Sequence, residues 1–245
     1  MSHPRFFPAA SACAVMAACL ALPAASHGAA HRTEVGGALH ADFGRERPSS
    51  QASQVANWVL ESGDNQGGSF VIVDKRRARV YVFRSDGELR GAAPALLGLA
   101  RGDDTVPGIG EKPLSQIRPQ ERTTPAGRFV AERGHNSHGK DVVWVDYDAA
   151  VSMHRVIAGT PAEHRARRLA SRTIKDNRIS YGCINLPVHF YEKVLSPAVA
   201  DGKTIIYVLP ETRPASALFG FAEGRGQAQA EPRQGDISLH RLDGA

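Results

Sequence analysis

The sequence predicts a mainly β domain over residues 68–210, and three features carry that expectation. The first is a pair of β-branched and aromatic runs, Ser69-Phe-Val-Ile-Val-Asp74 and Arg79-Val-Tyr-Val-Phe83, separated by the polar Lys75-Arg76-Arg77 in the pattern of a hairpin. The second is the recurrence of short strand-like runs near 93–98, 127–132, 141–146, 150–154 and 203–209. The third is that helical patterning interrupts them at only two short places.

Taken in order, the chain opens with Met1, one charge at Arg5, an apolar run from Phe6 to Leu22 and the small residues Ala24-Ala25-Ser26, which reads as a secretory signal peptide over 1–26. A membrane anchor is the alternative, but the run is Ala-rich, broken by Pro8 and Pro23, and shorter than the roughly 20 strongly apolar residues of a span. Met16-Ala17-Ala18-Cys19 faintly resembles a lipoprotein processing site, a minor reading. Export places the mature chain in the periplasm, with no membrane span left in it.

Residues 27–67 are rich in Gly, Ser, Gln and charge and read as a linker. The apolar patch Val55, Trp58, Val59 and Leu60 allows a short docking helix around Gln51 to Glu61. Ser85-Asp86-Gly87 supplies the turn after the hairpin, and a long Gly/Pro loop runs from about 101 to 126. Thr160-Pro161-Ala162-Glu163 is a capping box with proline at the first helical position, so a helix is expected from Pro161 to Ala170. A second starts at Pro187, with Val188, Tyr191, Val194 and Leu195 on one face. Beyond Leu209 the composition turns to Pro, Ala, Gly, Gln and Arg, and 211–245 reads as a disordered tail.

The 245 residues, 42% of them hydrophobic, suffice for one domain with a real core and fall short of two large ones. The formal charge is +5, and loss of residues 1–26 leaves 29 basic against 25 acidic residues. Mild basicity of this kind suits an anionic cell-envelope surface without identifying it. No dinucleotide or phosphate loop is present.

Cys13 and Cys19 lie in the segment expected to be removed, so Cys183 stands alone in the mature chain. A lone thiol in an oxidising compartment is an intermolecular partner, a buried inert group or a reactive one. Its setting, Arg178-Ile-Ser-Tyr-Gly-Cys-Ile-Asn-Leu-Pro187, favours reactivity. Gly182 permits a tight backbone, and the N–H groups of Tyr181, Gly182 and Cys183 are positioned to meet an oxyanion. The helix opening at Pro187 would add partial positive charge nearby.

A cysteine nucleophile also needs a base. His154, at the end of the strand Ala149–His154, is the first candidate, because strand ends on a β scaffold carry function. His164 is the competitor, set in the expected helix among Arg165, Arg167 and Arg168, where a solvated surface role is the plainer reading. His135-Asn-Ser-His138 has metal-ligand residue types without evident further ligands, and no metal or cofactor is expected. Asp103-Asp104 and Asp146 with Asp148 read as loop and turn residues.

With these residues in view, Ser180-Tyr-Gly-Cys-Ile-Asn185 resembles the Ser-His-Gly-Cys-aliphatic-Asn signature of the L,D-transpeptidase (YkuD-type) catalytic domain family. Val71-Ile-Val-Asp74 with Arg79-Val-Tyr-Val-Phe83 and Asp86-Gly87-Glu88 is similar to that family's opening hairpin. Thr123-Thr-Pro-Ala-Gly-Arg-Phe129 resembles its Thr-Pro-x-Gly-x-Phe strand entry. The resemblance covers about 69–209.

It implies an L,D-transpeptidase-like β-sandwich acting on peptidoglycan stem peptides, with no nucleic acid partner and no cofactor. It further implies Cys183 as nucleophile and His154 as base, oriented by the backbone carbonyl of Arg155. Ser180, Tyr181, Gly182, Asn185 and Arg155 fall at structural or oxyanion-side positions. The implied reaction is acyl transfer to an amine through a Cys183 thioester; water resolving that thioester would make the chain an L,D-carboxypeptidase or endopeptidase, and a cleft without catalysis would make it a cell-wall binding module.

Three departures stand out. Tyr181 replaces the family's usual histidine, Arg155 stands where glycine is common, and 25 residues separate His154 from Ser180. The long interval fits an inserted helix, since surface insertions cost little. It and its surroundings hold Arg165, Arg167, Arg168, Arg172, Lys175 and Arg178 against Glu163 and Asp176, either a solvated basic face or a basic lid over the cleft.

Overall fold

The computed structural model describes residues 39–222; the expected signal peptide and the tail from 223 onward lie outside the described residues. The two leading runs form the expected hairpin. Strands β1 (Ser69–Asp74) and β2 (Arg79–Phe83) pair antiparallel, with Phe70 opposite Phe83 and Ile72 opposite Tyr81. With β3 (Leu89–Pro94), β5 (Gly127–Val130) and β11 (Thr204–Val208) they make a sheet of order β3-β2-β1-β11-β5, in which β11 runs parallel to β1. A second sheet has the order β10-β8-β7-β6, from β6 (Glu132–His135), β7 (Asp141–Asp146), β8 (Val151–Arg155) and β10 (Ile184–Leu186). A short parallel pair, β4 (Leu97–Gly98) with β9 (Arg178–Ser180), leads into the Cys183 turn.

The mainly β expectation holds, and the sheets pack as a sandwich. Val71, Val73, Val80 and Val82 meet Val143, Val145, Val151 and Met153 across the shared core. Each side chain so buried is worth about 1.5–3 kcal/mol. Behind the cysteine segment the chain turns helical from Val188, as α3 (Val188–Phe190), a π turn (Tyr191–Leu195) and α4 (Ser196–Ala200). Phe190, Tyr191 and Leu195 enter the same core. The long loop carries three 3-10 turns, at Ile109–Glu111, Leu114–Gln116 and Pro119–Glu121.

Two boundaries differ from the linker and tail expected over 27–67 and 211–245. Residues Ser50–Ser62 form a helix, α1, whose Ala52, Val55, Ala56 and Val59 are fully buried. The reason lies in β1: its unbroken apolar run has no polar face, so both faces of the first sheet need cover. Phe70, Ile72, Tyr81, Phe83, Ile205 and Tyr207 on the outer face receive that helical stripe. Ser49 caps α1 by accepting from Ala52 N–H at 3.1 Å, and Gly63 closes it in a left-handed conformation. After β11 the chain stays docked: α5 (Ala215–Phe219) follows, and Phe219 and Phe221 stack on Trp58 at 6.0 and 5.5 Å.

A buried ion cluster ties these parts together. Lys75, with no exposed surface, donates to Asp103 at 3.0 Å and to the carbonyls of Gly102 and Thr124 at 2.5 and 2.9 Å. Asp103 also accepts from Glu211 N–H (2.6 Å) and Thr212 N–H (2.9 Å). Arg178 of β9 reaches the Glu211 carboxylate at 2.6 Å and Lys75 O at 2.9 Å.

The expected helix over 161–170 arrives in two pieces. A 3-10 turn at Pro161–Glu163 ends at His164, whose φ of +47° breaks the run, and α2 spans Arg165–Ala170. The break swings Arg165 inward while His164 stays exposed.

Candidate active site

The site forms where β8 and β10 run side by side in parallel, with His154 opposite Asn185. Cys183 ends the turn that joins β9 to β10. Side chains two apart on a strand share a face, so Ser152 and His154 both look toward this turn. Ser152 Oγ stands 3.8 Å from Cys183 Sγ, and Ala150 O stands 3.6 Å from it.

His154 Nδ1 bonds Arg155 O at 2.7 Å. A carbonyl only accepts, so Nδ1 carries the proton and Nε2 is the nitrogen left for the thiol. Burial alone pushes protons off the His154 ring, but hydrogen bonding and charge from Cys183, with the Arg155 carbonyl, outweigh it and raise its pKa above the ordinary value. Burial alone likewise pushes the Cys183 thiol up. The imidazole, followed by the Ser152 N–H and hydroxyl, reverses that and lowers it. The two shifts run in the directions that favour a thiolate beside an imidazolium, the arrangement that activates a cysteine.

The turn is held from several sides. Gly182 has φ +132°, and a Cβ there would lie 2.9 Å from Thr123 O, so only glycine fits. Thr124 Oγ donates to Gly182 O at 2.7 Å while accepting from Gly98 N–H at 2.9 Å. Ser180 Oγ donates to Cys183 O at 2.6 Å, and Asn185 Nδ2 donates to the same carbonyl at 3.3 Å. The Gly182 N–H donates to Ser180 Oγ at 3.1 Å, so of the three N–H groups expected to face an oxyanion, this one is engaged within the turn. Tyr181 lies under the Arg122 guanidinium, 4.0 Å from its ring centre.

Arg155 presents its carbonyl to the site and its side chain elsewhere. Its guanidinium pairs with Asp141 and Glu192, both at 2.9 Å, and lies 4.4 Å over the Tyr191 ring. A cavity of about 430 Å³ opens beside His154, walled by Val142, Val156, Ile157 and Val188. Arg168 and Lys175 of the insertion line a different cleft of about 680 Å³, together with Arg101 and Arg178.

Two residues of the site were not singled out from sequence. Ser152 was readable from the alternation that places it on the His154 face. Thr124 lay within the Thr-Thr-Pro-Ala-Gly run, though nothing local marked its hydroxyl. Arg165 was expected only as one of the basic set, and its burial carried no local signal.

Fold and site together define a mainly β domain that brings a half-buried thiol to an imidazole on a neighbouring strand. No protein-family model matches the chain, and no curated protein matches it either. Among solved structures it is similar to the helical cell shape determining protein Pgp2 from Campylobacter jejuni, at TM-score 0.39 and 17% identity, over 65% of this chain and 56% of that one. A mutant form of the same protein matches at TM-score 0.39 and 18% identity, over 70% and 62%. The LD transpeptidase LdtMt1 in complex with imipenem matches at TM-score 0.33 and 18% identity, over 58% and 59%. The chain thus spans 56 to 62% of the length of the solved proteins it matches.

Proposed function

We propose that this chain is a peptidoglycan L,D-transpeptidase, a periplasmic cysteine acyltransferase acting on stem peptides. One observation carries the reading. Inside Ser180-Tyr-Gly-Cys-Ile-Asn185, the segment that resembles that family's signature, the thiol pairs with an imidazole whose far nitrogen bonds the next backbone carbonyl.

In this reading the Cys183 thiolate attacks the carbonyl carbon between the third and fourth stem residues, and the carbonyl π pair moves onto oxygen. The N–H groups of Tyr181 and Cys183 are the donors left to meet that oxyanion. Collapse expels the nitrogen of the terminal D-residue, which takes the His154 proton, and a thioester remains. An acceptor amine then attacks the thioester and yields its proton to His154 as the C–S bond breaks and the thiolate returns. The cavity beside His154 gives an acceptor room to reach the base.

Mass spectrometry of muropeptides incubated with the mature protein tests the reading. Crosslinked dimers are expected. Shortened monomers alone would make the chain a carboxypeptidase or endopeptidase, with water in place of the amine. Unchanged muropeptides, with no carbapenem adduct on Cys183, would reduce it to a binding module.

A further inference from the structure

One cation of the insertion does not behave as a surface charge. Arg165 is 8% exposed, and its partners are spread around it. Nε donates to Glu163 Oε2 at 2.7 Å and Nη1 donates to Asn185 Oδ1 at 3.0 Å. Glu163 is fixed in turn, because Oε2 also accepts from Thr160 N–H at 3.3 Å. Backbone closes over the pair at Gly159, where a Cβ would come within 1.9 Å of Glu163 Oε2 and 2.7 Å of Arg165 Nε.

Asn185, 1% exposed, converts this contact into control of the nucleophile. A guanidinium only donates and a carbonyl only accepts. With Arg165 on Oδ1, the Asn185 amide must turn Nδ2 toward Cys183 O. Without Arg165, the amide is free to flip and set two oxygens against each other.

We propose that Arg165 is a positioning residue for Cys183, acting through Asn185, so that the segment inserted between His154 and Ser180 is a working part of the site. The inference rests on Cys183 being the reactive thiol of the proposed transpeptidase, and not on which acyl group it carries. Arg165 also adds positive charge near His154. The other charged groups around the ring are Cys183 on the turn, its own neighbour Arg155, and Lys140, Asp141 and Glu192 about the adjoining cavity.

The test is the rate of Cys183 alkylation by iodoacetamide on the full chain, read by intact mass, with the His154 titration followed by NMR. Arg165→Met is expected to alkylate about tenfold more slowly, the scale of one lost charged hydrogen bond. Its His154 midpoint should move to higher pH, because a repelling cation is gone. Combined with Asn185→Ala, it should add little further loss, since both act on one carbonyl. Arg165→Lys restores the titration but not the rate, because an ammonium lacks the fork that reaches Glu163 and Asn185 together.

Wild-type alkylation in Arg165→Met would overturn the proposal. So would a slow variant with an unmoved His154 midpoint and losses additive with Asn185→Ala, which marks a merely structural role. Should Arg165→Met fail to fold, Arg165→Lys decides: a wild-type rate there overturns the proposal. Alkylation involves no peptidoglycan, so untouched muropeptides beside a confirmed Arg165 dependence would sink the transpeptidase reading alone.

Discussion

Two polar systems hold the Tyr181-Gly182-Cys183 turn, and they differ in what their charges are for. The cluster of Lys75, Asp103, Glu211 and Arg178 is closed: its side chains are at most 7% exposed and every charge is matched. It grips the turn through Thr124, whose carbonyl takes the Lys75 proton donor and whose hydroxyl bonds Gly182 O. The pair Cys183 and His154 is open, half-buried, and has its protons shifted toward exchange. A buried cluster of matched charges resists change, even with Arg178 Nε left without a hydrogen-bond partner, whereas a thiol beside an imidazole has space next to it. The contrast teaches that burial of charge alone does not single out a candidate site; a titratable pair with a cavity beside it does.

The sharpest way to break the comparison is to remove the sulfur. Cys183→Ala should abolish carbapenem adduct formation in intact-mass measurements while the circular dichroism spectrum stays unchanged. An adduct on the mutant would move the nucleophile elsewhere.

Removing the base comes next. His154→Ala should slow acylation by about 10²–10⁴-fold, and His164→Ala should leave it near wild type. The pH profile sharpens this. With the Cys183 pKa lowered, alkylation should stay fast below the ordinary thiol range and fade only as pH drops through the depressed value. In His154→Ala the profile should return to higher pH. A profile identical in both proteins would dissociate the pair.

For the closed cluster the effect is on stability. Asp103→Asn should cost about 3–5 kcal/mol in urea unfolding, because it takes the nearer counter-charge from the buried Lys75 ammonium and leaves only Glu211, at 3.9 Å. Burial works against the Asp103 carboxylate, yet donors from Thr212, Glu211 and Lys75 hold its pKa well below the usual carboxylate range. A depressed carboxyl contributes stability that is present above its unfolded pKa and lost as pH falls below it. Wild type should therefore lose this contribution in acid, and Asp103→Asn should show a flatter acid limb. A chain ending at Pro210 should also melt lower than full length, since it loses the Glu211 and Thr212 contacts. Equal melting temperatures would mean that the cluster closes without them.

The smallest expected effect is at Tyr181. Tyr181→Leu removes a partly exposed cation–π contact with Arg122, worth about 0.5–1 kcal/mol, and should lower stability by that much with little change in acylation. A large loss of acylation would instead place the Tyr181 ring against substrate.

The strands, and Cys183 and His154 as candidates, were legible because each is marked locally. Alternation and β-branched runs mark β1, β2, β7 and β8 wherever they end up, and Gly182-Cys183 carries its own constraint, a backbone that admits no side chain. Cys183, the one cysteine among the described residues, and a strand-end histidine are likewise visible without knowing what they meet. The helix over Ser50–Ser62 was half legible: its patch Val55, Trp58, Val59 and Leu60 showed in sequence, but only the two-sided burial of β1 explains why it docks. The breadth of the tail's attachment was not legible at all, because Glu211 is polar in a polar stretch. Its place is set by Arg178, and Arg178 by β9, a strand of three residues too short to announce itself.

By itself, then, the order of residues determined which segments extend and which turn needs glycine, since these follow from backbone sterics and side-chain chemistry within a few residues. Only the tertiary structure decided which charges meet. Lys75 finds Asp103 28 residues away and Arg165 finds Asn185 20 residues away. Nothing in the local sequence ranks those partners over the other carboxylates and amides the chain offers. Packing does: once the sheets close, a buried charge must take whatever acceptor the fold sets beside it, because leaving it unpaired costs more than any local preference.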